Sequence, residues 1–105
     1  MIPQQEILLL AMKAGQIQLE NGAEIFRVED TIMLICRSYG LHSVNTFVLS
    51  NGIFISCGDE QEPQFAKVLQ VPVNHTNLRR VAEVNQLSRQ IEEKKLEPEE
   101  ARREL

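Results

Sequence analysis

The sequence predicts a small α+β domain: two helices, a three-stranded antiparallel meander, then one or two C-terminal helices packed on one face of the sheet. Three observations predict it. Apolar residues recur at helical spacing up to Gly40, alternate from Ser43 to Val73, and return to helical spacing from Leu78. Asn51-Gly52 sits between two β-rich runs, a strong short-range hairpin signal because both residue types accept positive φ. At 105 residues the chain has room for one shallow core, so residues 1–105 are read as a single domain.

Pro3 suits the first turn of a helix, and residues 4–21 are rich in helix formers. Ile7, Leu10, Ala14 and Ile17 form one stripe, and Leu8, Met12, Gly15 and Leu19 form a second. A surface helix needs only one such stripe, so this helix is expected to pack on two sides or to meet a partner. Ala14 and Gly15 would let another backbone come close. The second helix is expected between Gly22 and Gly40, each glycine serving as a left-handed cap. Its apolar stripe is Ile25, Val28, Ile32, Ile35 and Tyr39. Glu24, Arg27 and Asp30 follow one another at intervals of three, the spacing of neighbouring charges on a solvated helix surface.

In the first strand Val44, Thr46 and Val48 share a face, opposite Asn45, Phe47 and Leu49. In the second, Ile53, Ile55 and Cys57 lie together and Phe54 and Ser56 turn away. Phe65 to Val73 alternates again, and Pro72 should end that strand because it cannot donate a ladder hydrogen bond. Asn74-His75-Thr76-Asn77 offers several helix caps. The next helix carries a stripe of Leu78, Val81, Val84, Asn85, Ser88 and Ile91. A break follows Lys95, and Pro98-Glu99-Glu100 reads as a new helix start, its acidic residues at the positive end of the macrodipole. Because this helix begins just before the chain stops, a continuation in a longer protein is expected.

Hydrophobic residues make up 43% and charged residues 25%, which excludes a disordered chain. A net charge of −4 with no basic–aromatic face excludes a general nucleic-acid binder. There is no glycine-rich phosphate loop, no apolar run of bilayer length and no signal-peptide pattern. Cys36 and Cys57 are expected to be buried thiols of a reducing compartment. No short His/Cys/Asp spacing supports a metal site, and no cofactor is called for; His42 and His75 are read as loop residues.

Three segments occur in a characteristic order: NGAEIFRVEDTIMLICRSYGL, with the helix motif G-x-E-x-x-R-V-E; the hairpin VNTFVLSNGIFIS; and NLRRVAEVNQLSRQI, with V-N-x-L-S-R, followed by PEEA. From about Ala14 onward the chain resembles the soluble N-terminal domain of the threonine/serine exporter family of bacterial membrane proteins. The resemblance implies a cytosolic domain on the inner face of the bacterial plasma membrane. It implies that transmembrane helices follow Leu105 as this domain's partner, and that a second membrane subunit completes some such transporters. The implied activity is ion-driven export of a small hydrophilic metabolite, typically threonine or serine. The domain itself would be non-catalytic, with a regulatory, assembly or substrate-sensing role.

Two sets of residues are candidates for binding or coupling. Glu24, Arg27 and Glu29 match the family's helix motif, and an arginine between carboxylates can hold a small amino-acid zwitterion: guanidinium to carboxylate, glutamate to ammonium. The bland alternative is a salt-bridged helix surface. Asn85, Ser88 and Arg89 lie on the later helix. There Asn85 either bonds a loop or sheet backbone and fixes the packing, or makes a polar contact across an interface with a second copy or a membrane domain. The all-round apolar first helix and the partly apolar second sheet face together predict a homodimer. The runner-up function is a small hydrolase-like domain, which would require His, Ser and a carboxylate to converge; no serine has a G-x-S-x-G context.

Overall fold

A computed structural model of the chain describes residues 4–58, 63–72 and 76–105. Pro3, Val73, Asn74 and His75 lie outside the described residues. The elements run α1 (Gln4–Glu20), α2 (Ile25–Ser38), β1 (Val44–Leu49), β2 (Gly52–Gly58), β3 (Pro63–Gln70), α3 (Leu78–Glu92) and α4 (Pro98–Glu104). The sheet is antiparallel in the order β1-β2-β3. The α+β meander architecture is therefore the one observed.

Helix α1 is the centre of the helical layer. Both of its stripes are buried, and it contacts α2, α3, α4 and β2. Its all-round apolar character is thus met within the chain and gives no reason to invoke a second copy. Gly15 is where α2 comes closest. A Cβ there would stand 2.6 Å from Ile32 Cδ1 and 3.2 Å from Val28 Cγ1, so glycine sets the α1–α2 separation. Helix α2 also covers β1. Helices α3 and α4 stack on the helix pair on the same side, one layer further from the strands. The core runs continuously through these layers, from Leu8, Val28, Ile32 and Ile35 to Ile53, Ile55 and Val48.

Helices α1, α2 and α3 end in the same way. After α1, Ala23 N–H donates to Gln18 O at 2.9 Å and Gly22, at φ +93°, supplies the left-handed residue. After α2, Leu41 N–H donates to Cys36 O at 2.8 Å around Gly40, at φ +86°. After α3, Lys95 N–H donates to Gln90 O at 3.0 Å, but here Lys94 takes the positive φ, at 62°. Helix α4 starts at Pro98 as expected, with the Glu97 N–H donating to the Glu100 carboxylate at 3.2 Å.

Several boundaries differ from the sequence reading. Gly22 caps α1 as expected and Ala23 is spent on the same cap, so helix α2 begins at Ile25, which is exposed although it was counted on the apolar stripe. The hairpin forms, but Leu49 pairs with Gly52, so the two turn residues are Ser50 and Asn51. Gly52 lies in the strand; a Cβ there would press on Leu69 O at 3.3 Å, so it serves close backbone approach rather than the turn. On α3, Leu78, the first residue of the helix, is exposed although it falls on the expected stripe. Leu87 takes its place in the core.

Candidate functional site

The residues that matter most for chemistry meet in a groove between α2 and α3. Residues three, four and seven apart share one face of a helix. On α2 this puts Arg27, Asp30, Thr31 and Leu34 in one row, and on α3 it puts Asn85, Ser88 and Arg89 in another. The two rows face each other and, with Phe26, line a cavity of about 190 Å³. That is below the roughly 300–1,000 Å³ of sites for drug-sized ligands and fits a molecule of few heavy atoms.

The floor of the groove is a polar seam through the helical layer. Gln18 of α1 is fully buried, and its Nε2 donates to Asn85 Oδ1 at 2.8 Å. The Thr31 hydroxyl donates to the same oxygen at 3.5 Å, a long bond. Ser88 Oγ donates back to the Asn85 main-chain carbonyl at 2.7 Å. Asn85 thus bonds side chains of α1 and α2, not a loop or sheet backbone. Gln18 Oε1 is buried with no partner among the described residues.

The walls carry unspent charge. The ion pairs among the described residues are Arg80–Glu83, Lys95–Glu93 and Arg102–Glu6; neither Arg27, Asp30 nor Arg89 belongs to one. The solvated pairs expected from Glu24–Arg27 and Arg27–Asp30 spacing are therefore absent. Two guanidiniums, one carboxylate and two hydroxyls share one small concavity, and none of the charges is neutralised within it.

Four of the six sequence candidates converge here: Arg27, Asn85, Ser88 and Arg89. Two do not. Glu24 is the N-cap of α2, makes no side-chain cap bond, and lines a separate depression with Leu19, Ala23 and Asn51. Glu29 lies two residues from Arg27, about 200° around the helix, and is absent from the groove lining. The carboxylate that accompanies Arg27 is Asp30. Its signal was present in the i, i+3 spacing; Gln18 had none, since its partner lies 67 residues away.

The cysteines are free and buried. Burial pushes the Cys36 thiol up to about 12, helped by Cys57 nearby. His42 is exposed, and no His or Cys among the described residues lines the groove. Among the described residues no group of three His, Cys, Asp or Glu converges as a metal site would need. No described helix is long and apolar enough to cross a membrane.

A family model for threonine/serine exporters matches residues 9–105, nearly the whole chain. The chain belongs to the threonine/serine exporter family. No curated protein and no solved structure is similar enough to match. For this exporter-family domain the α2–α3 groove thus stands on its own geometry. Both helix motifs that carry the family resemblance contribute to it, Arg27 from G-x-E-x-x-R-V-E and Asn85, Ser88 and Arg89 from V-N-x-L-S-R.

Proposed function

We propose that this chain is a non-catalytic, cytoplasmic-face domain of a bacterial threonine/serine-type exporter, and that it senses the exported amino acid in the α2–α3 groove. The observation that carries the reading is the set of unneutralised groups in that groove. Arg27 and Arg89 offer planar forks for a carboxylate. Asp30 offers an anion for the ammonium. Thr31, Ser88 and the Asn85 amide supply short-range hydrogen bonding for a side-chain hydroxyl. A zwitterion satisfies both signs of charge at once, whereas a simple anion leaves Asp30 unmet. The hydrolase-like alternative gains no support, because no histidine among the described residues lines the groove beside Ser88 and Asp30.

Titration calorimetry of the chain with L-threonine and L-serine tests this. The expected dissociation constants lie between roughly 10 μM and 1 mM, as befits so small a ligand. Arg27→Ala and Arg89→Ala should each weaken binding by about tenfold or more, the scale of one charge-assisted hydrogen bond. Asp30→Asn should weaken threonine but spare 3-hydroxybutyrate, which lacks the ammonium. Threonine binding unaffected by Arg27→Ala, or no binding at all, would refute the sensing role.

A further inference from the structure

The outer face of the sheet gathers four of the exposed large hydrophobic side chains among the described residues. Register pairs Phe47 with Phe54 and Phe54 with Val68, so these three side chains form a row across all three strands. They are 60%, 52% and 59% exposed, and Leu49 beside them is 46% exposed. Together the four expose on the order of 400 Å² of apolar area, the size of patch that on a monomer commonly has a function. Asn45, Ser56, Ala66 and Gln70 surround the row. Apolar centre and polar rim match the anatomy of a protein–protein contact.

Charge decides what the partner is. One residue in four of this chain is charged, yet the three strands carry a single charge, Lys67. Lys67 pairs with Ile55 and so alternates to the inner face, but it is exposed on the last strand and borders the same depression as Phe47, Phe54 and Val68. Among the described residues the outer face carries none. One bordering lysine is far short of the basic cluster that a nucleic acid or an anionic lipid surface requires. An uncharged face is, however, its own electrostatic complement. Two copies stacked sheet to sheet, at the usual ~10 Å spacing, would bring only neutral surfaces together. The charges of both copies, borne mainly by the helices, would stay more than a Debye length (about 8 Å) apart.

We propose that this face is a homodimer interface with its two-fold axis beside Phe54, the central residue of the row on the central strand. A two-fold axis along β2 sets β1 of one copy over β3 of the other. Phe47 then meets the smaller Val68, and Phe54 meets its own counterpart. The buried area is below the ~800 Å² per partner of a standard interface, so association is weak, with a dissociation constant of roughly 10–100 μM. This inference is independent of the amino-acid groove, which lies beyond the opposite face.

Sedimentation equilibrium of the chain over roughly 10 μM to 1 mM tests it. A monomer–dimer equilibrium is expected for the wild type. Phe54→Lys should raise the dissociation constant more than tenfold while the circular dichroism spectrum stays unchanged; Leu78→Lys, on α3, should leave it as it was. In a variant that folds like the wild type, Phe54→Cys should give a disulfide-linked dimer on mild oxidation and Leu78→Cys should not. A monomer throughout, or a dimer indifferent to Phe54→Lys, overturns the proposal. So does a monomer whose binding to neutral phosphatidylcholine vesicles depends on Phe54, since the face would then serve lipid.

Discussion

The domain leaves two surfaces open, and they are built on opposite plans. The outer sheet face is open, apolar and made of uncharged side chains that alternation alone turns away from the core. The α2–α3 groove is small, concave and charged, and it exists only because two helices place complementary rows side by side. The difference teaches how much each surface owes to the fold. A strand's outward face can change composition freely while the inward face holds the core, so a face that stays apolar and charge-free calls for an external reason. A helix groove instead exposes whatever the i, i+3 and i+4 rows contain, and its chemistry rests on the floor that holds those rows in register.

The sharpest test sets the two faces of one strand against each other. Ile55 is almost fully buried and Phe54, its neighbour in sequence, is half exposed. Ile55→Ala should cost about 2–5 kcal/mol through lost burial and a residual cavity. Phe54→Ala removes a larger side chain yet should cost under ~1 kcal/mol in the monomer, read by denaturant unfolding at low micromolar concentration. Equal losses would mean that the outer face is part of the folding core, and the contrast would fail.

The next effect lies in pH. Cys36 is buried beneath the helices, its thiol pushed from the ordinary cysteine range up to about 12 by desolvation and then by Cys57. Tyr39 is likewise raised, to about 12, by burial and by Glu97 and Glu100, while its hydroxyl donates to Leu96 O at 3.0 Å. Both groups are neutral when protonated, and folding favours that form. Their stabilisation is fully present below pH 9 and is lost between about pH 9 and 12, as the unfolded chain releases protons that the folded chain retains. Cys36 alone should account for roughly 2–3 kcal/mol of lost stability by pH 11. Thermal unfolding at pH 8, 10 and 11 would show this. A Cys36→Ala variant, whatever its starting stability, should have a visibly shallower alkaline slope.

Most of the fold was legible because one period dominates each element. Alternation gave the strand faces correctly, from Val44 and Val48 inward to Phe47 outward, and Pro98 announced the last helix. What was not legible came from competition between elements. Gly22 caps α1 as its residue type suggested, but Ile25, counted on the apolar stripe, opens α2 in solvent. Asn51-Gly52 looks like a turn centre, but Gly52 is needed where β3 passes close. The site was half legible for the same reason. Periodicity marks which residues share a helix face, so Asn85, Ser88 and Arg89 were found together. It cannot say which two faces meet, so Asp30 was noted only as a surface charge, Thr31 went unremarked, and Glu24 and Glu29 were grouped with Arg27 although Glu24 lines a separate depression and Glu29 lies about 200° around the helix. Gln18 was hidden within an otherwise apolar stripe.

The smallest effects divide the groove into floor and walls. Asn85→Ala should cost about 1–3 kcal/mol, since Gln18, already lacking a partner for Oε1, would lose the acceptor of its Nε2 as well. Arg27→Ala and Arg89→Ala should each change stability by less than ~0.5 kcal/mol, because both side chains are exposed and neither is ion-paired among the described residues. Denaturant unfolding of the three variants at one ionic strength separates the cases. If either arginine proves as costly to remove as Asn85, it is holding the helices together and is not free to hold a ligand. If both are silent in stability while threonine affinity falls, the guanidiniums serve the groove rather than the fold, as the outer phenylalanines serve the sheet face rather than the core.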